Sequence, residues 1–240
     1  KSILIYDDEI GRVDYVDHMG DDLTIVNSAR VSFGVQKHEL SARDLKLIRY
    51  LIKHKHTSTL EHCSITYKFT VPLYIRSQHH RHRTWSYNEI SRRYTDKDYQ
   101  FYTPREFRTQ HKSNRQASNA NELINPYLWN EPPDSIIPVL HPRAAETYRE
   151  HCARSLKLFK ELINKGVCRE QARGVLPQTT YTEYYGTVNL NNLLKFIGLR
   201  IHEGAQWEIT QVAKACLEIA RDLYPQTISA YEECIYGVKV

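Results

Sequence analysis

The chain has 240 residues, 41% of them hydrophobic and 25% charged, the balance of an ordinary globular domain long enough to bury a sizeable core. No apolar run approaches the ~20 residues of a bilayer crossing and no secretory pattern opens the sequence, so a cytoplasmic protein without a membrane partner is expected. The net charge of +5 is modest and gathered largely in one stretch, which argues for a local anion site rather than a surface that coats itself with polyanions.

In chain order, Ile3 to Ile5 is followed by an acidic segment through Asp22. From Leu23 to Phe33 an apolar-rich run follows, in which Leu23, Ile25 and Val26 fit a short strand and Ala29 to Phe33 fits either a helix or an extended chain. Ser41, with Asp44 three residues on, opens a helix through Lys55 that places Leu45, Ile48, Leu51 and Ile52 on one face. Ile65, Tyr67, Phe69 and Val71 alternate with polar residues as in a half-buried antiparallel strand. Pro72 ends that strand and starts a helix that brings Gln78 and Arg81 to one face.

Thr95 to Pro138 is rich in Asn, Gln, Ser, Tyr and Pro and reads as a long loop, a lid or insertion within one domain over residues 1–240. Its aromatics Tyr99, Phe101, Tyr102 and Trp129 suit either stacking on a ring or, the favoured reading, anchoring of that loop. A helix from His141 to Asn164 stops at Gly166, and Thr179 to Leu190 reads as a strand. Asn191 to His202 and Gln206 to Leu223 follow as amphipathic helices, the second taken as the last. The expected fold class is α+β: an antiparallel sheet built from the Leu23, Ile65 and Thr179 segments with helices packed against it.

The five cysteines are scattered, odd in number and never spaced as C-x-x-C, and Cys152 and Cys216 fall on apolar helical positions. They read as small core residues, with no structural disulfide. The twelve histidines form no metal-ligand spacing, so no metal is expected.

The stretch from Arg76 to Tyr94 holds Arg76, Arg81, Arg83, Arg92 and Arg93 with three histidines around one acid, Glu89. Such crowding of guanidinium groups calls for an anion, and Arg grips phosphate or carboxylate through paired hydrogen bonds. Gln78, Ser86, Asn88, Glu89 and Ser91 add short donors and acceptors of the kind that read a base edge and a sugar hydroxyl. A solvated helix face, an Arg-rich nucleic-acid-binding module and another nucleotide enzyme with the same phosphate clamp stand as alternatives.

Arg81-His82-Arg83, seven residues and Ser91 resemble the R-H-R-x7-S signature of the flavin-dependent thymidylate synthase (ThyX) family. Asn88-Glu89-x-Ser91 and Arg93-Tyr94 look like its continuation. His56-Thr57-Ser58-Thr59-Leu60-Glu61-His62, Arg169 to Pro177 and Ala205 to Glu208 are similar to further family strings, as is Ala29 to Phe33, so the likeness spans Ala29 to Glu208 apart from 95–138. The resemblance implies methylation of dUMP to dTMP, with tightly bound FAD reduced by NADPH and 5,10-methylenetetrahydrofolate as the carbon donor. It also implies a homotetramer whose active sites are shared between subunits.

Carried over by position, the dUMP contacts are Gln78, His79, His80, Arg81, Glu89, Ile90, Ser91, Arg92, Arg93, Arg173 and Arg200. The FAD contacts are His56, Ser58, Glu61, Arg81, His82, Arg83, Glu89, Asn189, Asn191 and Lys195. Arg200 and Ser91 are the catalytic candidates: Arg200 as the cation facing the activated base, Ser91 as a substrate-binding hydroxyl, since no G-x-S-x-G elbow surrounds it. The chain departs from the family pattern at Asn191, where Arg is frequent, at Lys195, where His or Asn is common, and at Gly204, where His is often found.

Overall fold

A computed structural model describes residues 1–91, 99–128 and 142–236. Strands β1 (Ser2–Leu4) and β2 (Arg12–Met19) form a hairpin, followed by helices α1 (Asp22–Arg30) and α2 (Ala42–Lys53). A 3-10 turn over Thr57–His62 leads into β3 (Ser64–Pro72), then α3 (Leu73–His79) and β4 (Ser86–Glu89). A second hairpin, β5 (Phe107–Gln110) and β6 (Ser118–Ile124), precedes α4 (Ala144–Asn164) and the short α5 (Arg169–Ala172). Strand β7 (Tyr181–Asn189) and helices α6 (Leu190–Arg200), α7 (Trp207–Leu223) and α8 (Pro225–Tyr236) complete the chain.

The main sheet has the order β1-β2-β3-β7-β4, with every pair antiparallel. Ile65, Tyr67, Phe69 and Val71 are fully buried along one face of β3, as the period-2 pattern requires. They pack with Tyr184 and Val188 of β7 against Leu193, Phe196 and Ile197 of α6 and Ile209, Val212 and Cys216 of α7. The opposite face is polar: Lys68 pairs with Glu183 at 2.9 Å, and the Thr66 and Thr187 hydroxyls lie 2.9 Å apart. Cys152 and Cys216 are buried, in keeping with their apolar helical positions.

Three expectations need correction. The Leu23 segment is not a strand. The Asp21 carboxylate accepts from Thr24 N at 2.8 Å, and this cap starts a helix in which Ile25 and Val26 are buried. The strand beside β3 is made instead by the acidic segment, β2, where Val13 turns inward and Arg12 and Asp14 outward. Charge masked a period-2 pattern there. The 95–138 segment, read as a loop, contains the β5–β6 hairpin, while residues 95–98 and 129–138, Trp129 among them, lie outside the described residues. Among the described residues of this segment, the Tyr102 ring tilts against Tyr6 at 4.8 Å and Tyr99 meets Phe159 at 5.0 Å, while the backbone of Phe101 forms a bridge to Thr180.

Nor is α7 the last helix. Pro225 opens α8, and the buried Asp22 carboxylate accepts from Gln226 N at 2.8 Å and Thr227 N at 3.0 Å, capping α8 from more than 200 residues away. A cap delivered across the fold leaves no local sequence signal. A second buried carboxylate, Asp44, accepts from Ser41 N at 2.9 Å and from Arg30 Nη2 at 2.5 Å, so the α2 cap also ties down the end of α1. The Ser41 hydrogen bond first, and Arg30 as well, hold its carboxyl at about 2 against desolvation.

Gly186 faces Tyr67 across the β3–β7 ladder, where an added Cβ would sit 2.9 Å from the Phe69 ring and 3.2 Å from Trp85. Gly186→Ala is expected to overpack this aromatic layer and cost about 1–3 kcal/mol. Chemical denaturation checks this, and an unchanged midpoint would show that the layer yields freely.

Candidate nucleotide and flavin site

Strand β4 and the start of β7 lie side by side, with Glu89 opposite Tyr184, and this pairing builds one wall of a cleft of about 540 Å³. Arg76 of α3, Glu89, Ile90 and Ser91 line it from one side. Arg173, Gly174, Gln178, Thr180 and Thr182 line it from the other. Glu89 accepts from Thr182 Oγ1 at 2.7 Å and lies 3.2 Å from Arg76 Nε, an ion pair at an angle short of a hydrogen bond. The carboxylate thus fixes Arg76 on the cleft wall. Arg173 sits on an exposed 3-10 turn and has no carboxylate partner among the described residues.

A second group forms where the C-terminal ends of α3 and α6 meet the first turn of α7. Arg200 Nε donates to His82 Nε2 at 3.0 Å, and the Arg200 carbonyl accepts from Thr210 Oγ1 at 2.8 Å. Because His82 Nε2 is the acceptor, the ring is neutral in this arrangement. Burial first, and then the adjacent Arg200 charge, pull the His82 pKa from 6.5 down to about 4. Burial also lowers the pKa of Arg200. Gln78 Nε2 donates to Gln206 Oε1 in this same region. Arg81 and Arg83 are exposed beside it, with no carboxylate partner among the described residues.

A third group surrounds the 57–62 turn. Asn191 Nδ2, at the start of α6, donates to Glu61 Oε1 at 2.9 Å, while His56 and Ser58 are exposed on the turn itself. Asn189 uses its side-chain oxygen to cap α6, accepting from Asn192 N at 2.9 Å. That oxygen is therefore occupied by the helix. Lys195 is exposed one turn further along α6.

Of the nucleotide residues expected from the sequence, the cleft gathers Glu89, Ile90, Ser91 and Arg173, whereas Gln78, Arg81 and Arg200 do not line it. Arg92 and Arg93 lie outside the described residues. His79, another of the expected residues, sits apart from the cleft lining. It is fully buried, its Nδ1 lies 2.8 Å from the Tyr184 hydroxyl, and its ring sits 4.7 Å from Phe196 and 4.5 Å from Trp85. The histidine is a core residue, and burial drives its pKa well below the ordinary range. His80 likewise turns away from the cleft lining, stacking on Tyr87 at 4.0 Å. Arg76 was visible in the basic stretch but had no assigned role, and the threonines of β7 carried no signal at all. They reach the cleft only because β7 pairs with β4.

Comparisons with known proteins show the family of the chain. Residues 14–226 match the family described as thymidylate synthase complementing protein, Thy1. The flavin-dependent thymidylate synthase of Thermus thermophilus is 39% identical over 223 residues, spanning 93% of this chain and 76% of that one. That of Thermotoga neapolitana is 35% identical over 226 residues, spanning 94% and 93%. Among solved structures, the UMP/dUMP methylase PolB from Streptomyces cacaoi, bound with 5-Br dUMP, is similar at a TM-score of 0.75 and 28% identity over 91% of this chain and 93% of that one.

The histidines yield a pH prediction. With a folded pKa near 4 against an ordinary 6.5, His82 binds its proton more readily in the unfolded chain, and His79 and His80 are shifted in the same direction by burial. The stability tied to the neutral rings is therefore present above about pH 6.5 and drains away as the pH falls toward 4. Calorimetric melting at pH 7.5 and 5 is expected to show a lower Tm in acid, with a shallower dependence for His82→Gln. An identical slope for that variant would remove His82 from the account.

Proposed function

We propose, for a chain that belongs to the flavin-dependent thymidylate synthase family, that it methylates dUMP to dTMP with FAD as redox cofactor, NADPH as reductant and 5,10-methylenetetrahydrofolate as carbon donor. The observation that carries the reading is the cleft: Glu89 and Ser91, from the basic stretch, and Arg173, more than 80 residues later, line one concave surface of nucleotide size. Short hydroxyls and a carboxylate beside two guanidinium groups suit a sugar phosphate better than a polyanion backbone, which needs an open basic face. This favours the enzyme over the nucleic-acid-binding module.

In this reading Arg173 and Arg76 neutralise the phosphate at one end of the nucleotide, with the Ser91 hydroxyl donating to it. Glu89 accepts from Thr182 and holds Arg76 in place. Gln78 and Arg200 take the base. The residues present fit a flavin: Arg81 and Arg83 are exposed cations for a phosphate, and the Asn191–Glu61 pair joins α6 to the 57–62 turn as a polar seat. His56, Ser58, His82, Asn189 and Lys195 complete the set, although Asn189 contributes what its helix cap leaves over. When bound, the reduced flavin supplies a hydride to C6 of the uracil ring. Arg200, half-buried and oriented by neutral His82, would lower the energy of negative charge developing on the base oxygens.

Two separate groups for one nucleotide support a shared site. If Arg173 of one subunit faces Gln78 and Arg200 of another, a homotetramer supplies what one chain keeps apart. Gathering the two halves at a subunit contact also excludes water from the base.

The purified protein is expected to be yellow and to form dTMP from dUMP with NADPH and the folate donor. A colourless protein with steeply salt-dependent RNA or DNA affinity would overturn the enzyme. Arg173→Ala is expected to raise KM for dUMP about 10- to 100-fold, the loss of a charged hydrogen bond, whereas Ser91→Ala keeps measurable turnover. Complete inactivity of a folded Ser91→Ala would make the serine a nucleophile. Mixing Arg173→Ala with Arg200→Ala, at a dUMP concentration where each alone turns over weakly, is expected to restore part of the activity through hybrid sites. Absence of any recovery would confine the site to one chain.

A further inference from the structure

Gln78 lies at the end of a chain of hydrogen bonds that starts in the hairpin the family strings do not cover. Arg108 of β5 crosses to α7, where its Nη2 donates to Glu208 Oε1 at 2.5 Å and its guanidinium lies 5.1 Å above the Trp207 ring. Glu208 is 4% exposed. Its Oε1 also accepts from the Tyr102 hydroxyl at 3.5 Å, and its Oε2 accepts from Gln206 Nε2 at 3.0 Å. Gln206 Oε1 in turn accepts from Gln78 Nε2. The far end of the chain, Gln78 Oε1, is buried and has no hydrogen-bond partner among the described residues.

The orientation of each amide follows from chemistry. An ionised carboxylate only accepts, so Gln206 must turn its nitrogen toward Glu208 and its oxygen toward Gln78. Gln78 must then offer its nitrogen to Gln206. Turning either amide over would set two acceptors against each other, so the order of donors and acceptors is passed intact from the ion pair to Gln78. A buried acceptor left over at the end of such a chain is matched by a ligand that brings a donor.

We propose that Arg108, Glu208 and Gln206 are positioning residues that lock Gln78 with Oε1 toward the substrate, so that the site selects a base with a ring N–H, the imide edge of uracil, over cytosine. This rests on the nucleotide reading above and adds the source of base selectivity. Cytosine presents an unprotonated N3, an acceptor that meets Gln78 Oε1 acceptor to acceptor. A free glutamine would flip and take either base. The locked one does not.

The test measures Kd for dUMP and dCMP by calorimetry on the flavin-loaded full chain, which needs no turnover. Glu208→Gln keeps the shape but offers Gln206 either an oxygen or a nitrogen, and it is expected to lower the dUMP over dCMP preference about tenfold with flavin absorbance unchanged. Arg108→Gln, a change on the hairpin, is expected to lower it in the same direction, and Arg108→Lys to restore it. This pair carries the test if Glu208→Gln does not fold. An unchanged preference in the folded variants, or a lower Tm with the preference intact, would overturn the relay. Selective dUMP binding by the wild type without methylation would sink the reaction and leave the relay standing on the variants' Kd ratios. Equal wild-type affinity for both nucleotides, or none for either, would sink the relay.

Discussion

The pairing of β3 with β7 is the constraint on which the rest of the molecule depends. The register runs unbroken from Ser64 opposite Asn189 to Pro72 opposite Tyr181, and each end of it delivers part of the site. At one end Asn189 caps α6 and the 57–62 turn enters β3. At the other, Pro72 gives way to α3 while Thr180 and Thr182 enter the cleft. A slip of one residue would turn Phe69 and Tyr184 to the polar face and Lys68 into the aromatic layer. The buried face therefore fixes the register, and the register fixes where the chemistry sits.

Guanidinium groups in this fold divide by partner. Arg30, Arg76 and Arg108 face carboxylates and join elements: α1 to α2, α3 to β4, and the β5 hairpin to α7. Arg81, Arg83, Arg173 and Arg200 have no carboxylate partner among the described residues. A half-buried cation without a counterion is costly, and Arg200 has only neutral His82 against its Nε. The paired set joins elements of the fold.

The three adjacent histidines show how burial separates like residues. His79 packs among Phe69, Trp85, Tyr184 and Phe196 as a core ring, His80 stacks on Tyr87, and His82 accepts from Arg200. All three are pushed toward the neutral form, for the same reason of lost hydration. What they do differs because α3 ends at His79, so the following residues leave the helical face.

Much of this was legible in the amino-acid sequence alone. Alternation in β3, the apolar stripes of α2, α4, α6 and α7, and the Ser41–Asp44 cap are local periodicities or contacts three residues apart, and they announce themselves without a fold. The basic stretch and its short polar neighbours likewise pointed to a nucleotide, because the chemistry of an Arg cluster does not depend on where it is placed. Other features became visible only in three dimensions. The helix at Leu23 depends on the Asp21 cap winning over β-branched residues, α8 depends on a carboxylate more than 200 positions earlier, and β2 hides under charge. The burial of His79 shows only once the sheet encloses it, and Arg76, Thr182 and the Arg108–Glu208–Gln206–Gln78 chain come together only when β7 meets β4 and the hairpin meets α7. Which chemical groups the site uses follows from residue type. Which atoms face one another follows from packing between elements far apart in the chain.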